Sequence, residues 1–324
     1  MHSPRAARRA VFASLLAVLL LVTSAWAQDR TVRILVGFAP GAGTDLLARL
    51  VADKMRVSLA QPVIVENKPG VSGIVATEAA KAAVPNGLTL ILQPLAPMVA
   101  HPYTYAKLSY DPIRDFDPVA HLAEFQLALA VGPQLGVRTV RDYVALVKKD
   151  RSAGFFGTPG PGGLPHFFGI MIGNAGGVEL THVPYKGAAP AMQALAGGSV
   201  PAAVVPLPDA VPLARSGKAV VLGVSGAKRS AAYPDAPTFR ESGYAVEGSG
   251  WYALFAPANT PKEVLARQSR AAVDAVKSPD TRDKIAAMGL EPTGYGAVEL
   301  AAIMKSDHER WGPIIKASGF RATD

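Results

Sequence analysis

No cysteine occurs anywhere in the 324 residues. That excludes a disulfide framework, a thiolate metal site and a cysteine nucleophile, and leaves the hydrophobic core to hold the fold together. Aromatic residues are scarce at 7%. The Lys and Arg residues are scattered through "VKKD", "AKRS" and "ARQSRAAVDAVK" without rings between them, which excludes a nucleic-acid surface. The six histidines show no HExxH or paired spacing, so no metal is expected. Long apolar runs are missing too. The longest, residues 11–22, is about a dozen residues and falls short of the roughly 20 that span a bilayer.

That short run has its own meaning. Arg5, Arg8 and Arg9 precede it, and Ala25-Trp26-Ala27 follows with small residues at the two positions a signal peptidase reads. Residues 1–27 therefore read as a signal peptide for the general secretory route, cleaved after Ala27 to leave Gln28 first. About 297 residues remain, enough for one large domain or two ordinary ones. Formal charge is +8 for the whole chain and about +5 without the three signal arginines. A mild positive excess suits attraction of small anions to a cleft. An exported, cysteine-free chain of this kind is expected in the periplasm of a Gram-negative bacterium.

Strand-like and helical patterns alternate along the mature chain. "TVRILVGF" reads as a strand and "TDLLARLVADKM" as a helix with Leu46, Leu47, Leu50 and Val51 on one face. "QPVIVENK", "IVATEAAKAA" and "GLTLILQ" continue a βαβαβ pattern, which calls for a parallel sheet covered by helices. Residues 101–118 read as a connection, where Asp111, Asp115 and Asp117 suit turn chemistry. "VAHLAEFQLALAVGP" is a strand long enough to cross between domains, and a second alternating set follows it. The return strands "AVVLGVSG" and "GWYALFAP" and two C-terminal helices close the chain. The architecture expected is two α/β lobes, residues 28–125 plus 250–324 and residues 126–249, with a cleft between them.

Two glycine-rich loops stand at corresponding places in those lobes. "GFAPGAGTDLLARL" puts Gly37, Gly41 and Gly43 between a strand and a helix. Glycine lets backbone approach a ligand closely, and the unpaired N–H groups of a helix start attract a carboxylate or phosphate. Capping of the helix by Thr44 or Asp45 explains the same residues without a ligand. "FFGTPGPGGLPHFFG" repeats the arrangement with Thr158, Gly160, Gly162, Gly163 and His166. His166 fits either donation to an anion or simple packing. Neither loop carries a dinucleotide or GK[ST] signature, so no nucleotide cofactor is expected. Catalytic patterns are as poorly represented: "GVSG" and "GVSGA" miss the nucleophile-elbow spacing. An exported hydrolase would have to use His166 or Asp209 with no nucleophile at recognisable spacing.

The stretches "VGFAPGAGTDLLARLVADKM", "VIVENKPGVSGIVATEAAKA", "THVPYKGAAPAMQALAGG", "KRSAAYPDAPTFRESGY" and "GWYALFAPANTP" are spread along essentially the whole mature chain. They resemble the substrate-binding proteins of tripartite tricarboxylate transporters, the Bug family. The resemblance implies a two-lobed type II periplasmic-binding-protein fold, each lobe a mixed, mostly parallel sheet flanked by helices. It implies a monomeric solute-binding protein, not an enzyme, that captures a small carboxylate for the membrane subunits of a transporter. A sensory role, docking on a receptor ectodomain, is the alternative partner. Ligand contacts implied by the resemblance are Phe38, Ala39, Gly41, Gly43 and Asp45, with Gln93, Leu95 and Ala96 on the same side. From the other lobe come Thr158, Gly160, Gly162 and His166, with Tyr185, Gly187 and Ala188 nearby. The chain departs from the family where Gly163, Leu164 and Pro165 replace hydroxyl residues, and where Pro201 and Val205 replace aspartates. Those departures suggest an apolar or aromatic carboxylate rather than an amino acid, with a di- or tricarboxylate as the alternative, because an amino group or several hydroxyls would be left unpaired at about 1–3 kcal/mol each.

Overall fold

The computed structural model describes residues 31–41 and 43–322. The signal peptide expected at residues 1–27 lies outside the described residues. The chain folds as β1 (Val32–Val36), α1 (Gly43–Leu59), β2 (Val63–Asn67), α2 (Ile74–Lys81) and β3 (Thr89–Pro94), a parallel βαβαβ unit in which β1 pairs with both β2 and β3. After β3 comes a π-helical turn, Ala96–Ala100, that runs into α3 (His101–Thr104). The expected connection at residues 101–118 therefore begins as helix and ends as strand, because β4 already starts at Phe116. Pro97 and Pro102 each stand within the first two positions of a helical turn, where a missing N–H costs nothing.

β4 (Phe116–Val131) organises everything else. Through Gln126 it pairs antiparallel with β9 (Ser249–Pro257), and β10 (Glu291–Tyr295) pairs with it as well. From Leu127 onward it pairs with β7 (Ala202–Pro206), and from Ala128 with β8 (Val220–Val224). One 16-residue strand thus belongs to two sheets. The first sheet runs β2-β1-β3-β9-β4, and the second continues from β4 through β7 and β5 (Phe155–Thr158) to β6 (Thr181–Pro184). Between these strands lie α4 (Val140–Lys149), α5 (Leu164–Gly176), α6 (Ala188–Ala196) and α7 (Leu207–Arg215). The C-terminal part adds α8 (Lys262–Lys277), α9 (Pro279–Ala287) and α10 (Ala297–Ala317).

The second sheet is covered on both faces, and the two-residue period of its strands sorts the side chains. Leu127, Leu129, Val204 and Leu222 join the large core with Phe156, Phe167 and Phe168, whereas Ala128, Ala130, Val205 and Val221 pack with Met192, Leu195, Leu207 and Val211 beneath α6 and α7. Three elements are absent from the sequence expectation. Pro208 and Pro212 disguise α7, although Pro208 sits harmlessly in its first turn. The helix α9 starts on Pro279 directly after α8 ends, so the two blur together, and β10 is short with a bulge.

Candidate functional site

The first loop is organised by one buried carboxylate. Asp45, 1% exposed, accepts the Gly41 N–H at 2.9 Å, the Arg49 Nε–H at 3.0 Å and the Asn67 Nδ2–H at 2.9 Å. Arg49 reaches the other carboxylate oxygen as well, at 2.9 Å, so the ion pair is two-pronged. Asn67, at the end of β2, also donates to the Phe38 carbonyl at 3.0 Å. Burial alone would raise the Asp45 pKa; Arg49, the Gly41 N–H and Asn67 outweigh it and hold the group below the ordinary range. This corrects the expectation that all the N–H groups of residues 41–45 are bare. The Gly41 N–H is taken by Asp45, whose side chain ties the loop to α1 and β2.

Gly37 passes so close to Gly73 that a Cβ on it would lie 2.6 Å from the Gly73 Cα. The fully buried Gln93 pins the same segment, donating to the Gly73 carbonyl at 3.1 Å and the Thr77 hydroxyl at 2.8 Å; its Oε1 has no partner. Of the neighbouring expected contacts, Leu95 is wholly buried in the core, Ala96 is partly buried beside it, and Ala39 is exposed.

The second loop is likewise closed on itself. Thr158 Oγ1 donates to the Gly160 carbonyl at 2.9 Å and lies 2.6 Å from His182 Nε2. The Gly162 N–H reaches His166 Nδ1 at 3.3 Å, and Gly162 holds φ at +69°, a region favouring glycine. Backbone bonds Tyr185 N–H to Thr158 O and Gly187 N–H to Pro159 O, both 2.9 Å, bind the start of α6 to this loop. His166 stacks on His182 with ring centroids 3.8 Å apart, and burial holds them neutral by pushing their pKa values down to about 4 and about 3. No side chain caps α5, α6 or α7, and the first two of these helices open directly from the second loop and from the Tyr185–Gly187 segment bound to it.

The second loop meets the turn before α2, the end of α3 and the C-terminal tail through residues that no sequence motif marked. A Cβ on Gly160 would lie 3.2 Å from Ser72 Oγ, and one on Gly162 would lie 3.2 Å from the Phe320 ring and 3.5 Å from Thr104 Oγ1. Ser72 holds φ at +54°, a strained conformation for a residue with a side chain, and shares a hydrogen bond with Tyr105. The C-terminal tail lies across the junction, with the Ala322 N–H donating to Thr104 O at 2.9 Å and Phe320 edge-on to His166 at 4.5 Å. At the start of α1, the Tyr252 hydroxyl on β9 shares a hydrogen bond with Thr44 and lies within electrostatic reach of Asp209, in the first turn of α7. Burial raises the Asp209 carboxyl to about 6.

The profile described as "Tripartite tricarboxylate transporter family receptor" matches residues 47–320. The chain belongs to this family. It is 33% identical over 318 residues to the "UPF0065 protein in gbd 5'region" of Cupriavidus necator, covering 97% of this chain and 96% of that protein. Among solved structures, MatC from Rhodopseudomonas palustris with bound malate superposes with a TM-score of 0.81 at 31% identity, covering 88% of this chain and 98% of that one. R. palustris Rpa4515 with adipate gives 0.86 at 29% identity, covering 91% and 99%. The receptor thus has the two-lobed periplasmic-binding-protein fold, in a family of solute-binding proteins and not of enzymes.

In the receptor, the ring of His166 touches the Gly162 N–H, His182, Phe167 and Phe320, and none of these is a hydroxyl nucleophile or a carboxylate. The argument from Val205 needs correction. Val205 is completely buried in the smaller core, on a strand covered on both faces, so its change from an aspartate does not make a cleft wall apolar.

Proposed function

We propose that this receptor captures a small carboxylate in the periplasm and presents it to the membrane subunits of a tripartite transporter. The observation that carries the reading is the approach of Gly160, in the second glycine loop, to Ser72, in the turn that opens α2 and packs through Gly73 against Gly37 of the first loop. Helix starts hold an anion by unpaired N–H groups and partial positive charge, and the site then needs no formal cation. Arg49 is committed to Asp45 and Asn67, which leaves that role to the backbone. Residues 28–125 with 250–324 form one lobe and residues 126–249 the other; the exchange of β4 partners between Gln126 and Leu127 supports this division. The malate bound to MatC and the adipate with Rpa4515 are consistent with a carboxylate ligand here. Without support from Val205, the preference for an apolar or aromatic acid gives way to the broader class of small carboxylates.

Refolded, ligand-free protein tested by thermal shift against a panel of mono-, di- and tricarboxylates decides the matter. A ligand at about 100 times its Kd adds roughly 2.7 kcal/mol of stability, which moves Tm by several degrees. No shift with any carboxylate refutes the reading.

A further inference from the structure

Asp209 differs from the other acids whose carboxyls burial raises: Glu124 accepts from Ser249 Oγ and Asp307 from Trp251 Nε1. Asp45, Asp115 and Asp280 each hold an Arg or Lys partner. Among the described residues, no hydrogen bond or ion pair reaches the Asp209 carboxylate. The elements packed on α7 offer it no cation: α6, β7 and β8 carry no ionisable side chain, and β4 carries only Asp117, His121 and Glu124. The group that does register is the Tyr252 hydroxyl, whose pKa is raised first by burial and then by Asp209. Tyr252 Oη is also 4.0 Å from where a Cβ of Gly43 would stand, so this ring lies between Asp209 and the start of α1.

Asp209 also occupies a favoured place for a ligand contact. It follows β7 directly, beyond the carboxyl end of the strand, where ligands of open α/β sheets bind. An ionised carboxylate is an acceptor only, and an unpaired, partly buried one is a standing cost that persists where function uses it. If the first loop holds a ligand's carboxylate, the part of the ligand turned to Asp209 cannot be a second anion, because like charges repel.

On the carboxylate-binding reading above, we propose that Asp209 is a specificity-determining residue, whose carboxylate accepts a hydrogen bond from a hydroxyl or ammonium group that the ligand carries next to its own carboxylate. An acid without such a donor leaves Asp209 as it is in the free protein and binds more weakly.

The test compares matched acids bearing hydrogen, hydroxyl or ammonium on the carbon beside a carboxylate. The series are succinate, malate and aspartate; glutarate, 2-hydroxyglutarate and glutamate; and phenylacetate, mandelate and phenylglycine. Affinities are measured calorimetrically at pH 7.5 on the wild-type mature protein and on the Asp209→Ala and Asp209→Asn variants, with ligand-free melting curves as the check on folding. In at least one series the donor-bearing member should bind roughly 10- to 100-fold more tightly than its parent, the range for a hydrogen bond to a charged group. The ratio should collapse towards unity in the variants. Equal binding of parent and donor-bearing acids by the wild type, or a ratio that survives both substitutions, overturns the proposal while leaving carboxylate capture intact. Binding of no member of any series overturns carboxylate capture itself. If the alanine variant does not fold, the near-isosteric Asp209→Asn carries the comparison.

Discussion

Replacing Asp45 by alanine tests the claim that the first loop is built around a buried anion. The substitution removes the acceptor for Gly41 N–H, for Arg49 and for Asn67, contacts of 2.9–3.0 Å. Hydrogen bonds to charged groups contribute about 1.5–3 kcal/mol each when their partners are left dry. Here the Arg49 side chain is 49% exposed and Gly41 is at the surface, so both recover water when the carboxylate goes. The net loss is therefore about 3 kcal/mol, well below the sum of the bonds. For a chain of this size that corresponds to a fall in Tm of roughly 6–10 °C. Scanning calorimetry of ligand-free wild type and Asp45→Ala measures it. The carboxylate's contribution is present above the ordinary aspartate value of 3.8 and is lost as pH falls through its lower folded value. The difference between the two proteins should therefore shrink in strong acid. Ligand affinity should drop as well, since the Phe38 and Gly41 backbone loses its tether. A Tm within 1 °C of wild type, with unchanged affinity, would refute the reasoning and reduce Asp45 to an ordinary helix-start residue.

Gly37→Ala places a Cβ 2.6 Å from the backbone of Gly73, which cannot give way, and should cost several degrees of Tm along with ligand affinity. Gly41→Ala meets nothing within 4 Å and should cost only about 1 kcal/mol, from its φ of +81°; equal Tm values for the two variants would contradict the close-approach argument. His166 and His182 are held neutral by burial at about 4 and about 3, so their contribution to stability is present above 6.5 and lost as pH falls from there towards 4 and 3. His166→Phe should flatten that acid limb in melting curves recorded between pH 7 and pH 4, and an unchanged limb would count against burial as its cause. Asp209, raised to about 6, contributes stability below 3.8 that is lost as pH rises through 6. Asp209→Asn should therefore melt higher than wild type at pH 7.5 and lose that advantage by pH 4; no advantage at pH 7.5 would mean the carboxylate is well hydrated.

Most of the fold was legible because periodicity and burial agree. The apolar run "VRILVGF" and the amphipathic run after "GAGTD" became β1 and α1, and the length of the apolar strand at 119–131 did mark the element shared by two sheets. What stayed hidden had local reasons. Proline is a breaker in a composition-based reading, yet Pro208 of α7 and Pro279 of α9 stand in a first turn that tolerates them, and α7 carries Pro212 in its interior as well. The inferred face of Val205 was wrong because an uninterrupted apolar strand gives no sign of which side meets a cleft and which meets a second core. Ser72 was missed for a different reason. Its importance lies in a positive φ and in its approach to Gly160, neither of which "GVSG" declares, although two flanking glycines were the one available signal of an unusual backbone.

The glycine loops were found as motifs, but their hydrogen-bond accounting changes what they can do. A loop whose N–H groups were all free would be disordered until a ligand arrived and would lose affinity to the entropy of ordering. Here Asp45 organises the first loop, while Thr158 and His166 organise the second, and on the proposed reading the helix starts without a side-chain cap are what the ligand meets. Asp45 and Arg49 cancel one another, so on the proposed reading the positive potential at the first loop comes from backbone dipoles. Asp209, with no cation partner among the described residues, contributes negative charge next to Tyr252. A ligand entering that field is turned carboxylate towards α1 and donor towards α7. Orientation of this kind follows from two carboxylates with opposite fates in one protein, one fully paired and one not paired at all.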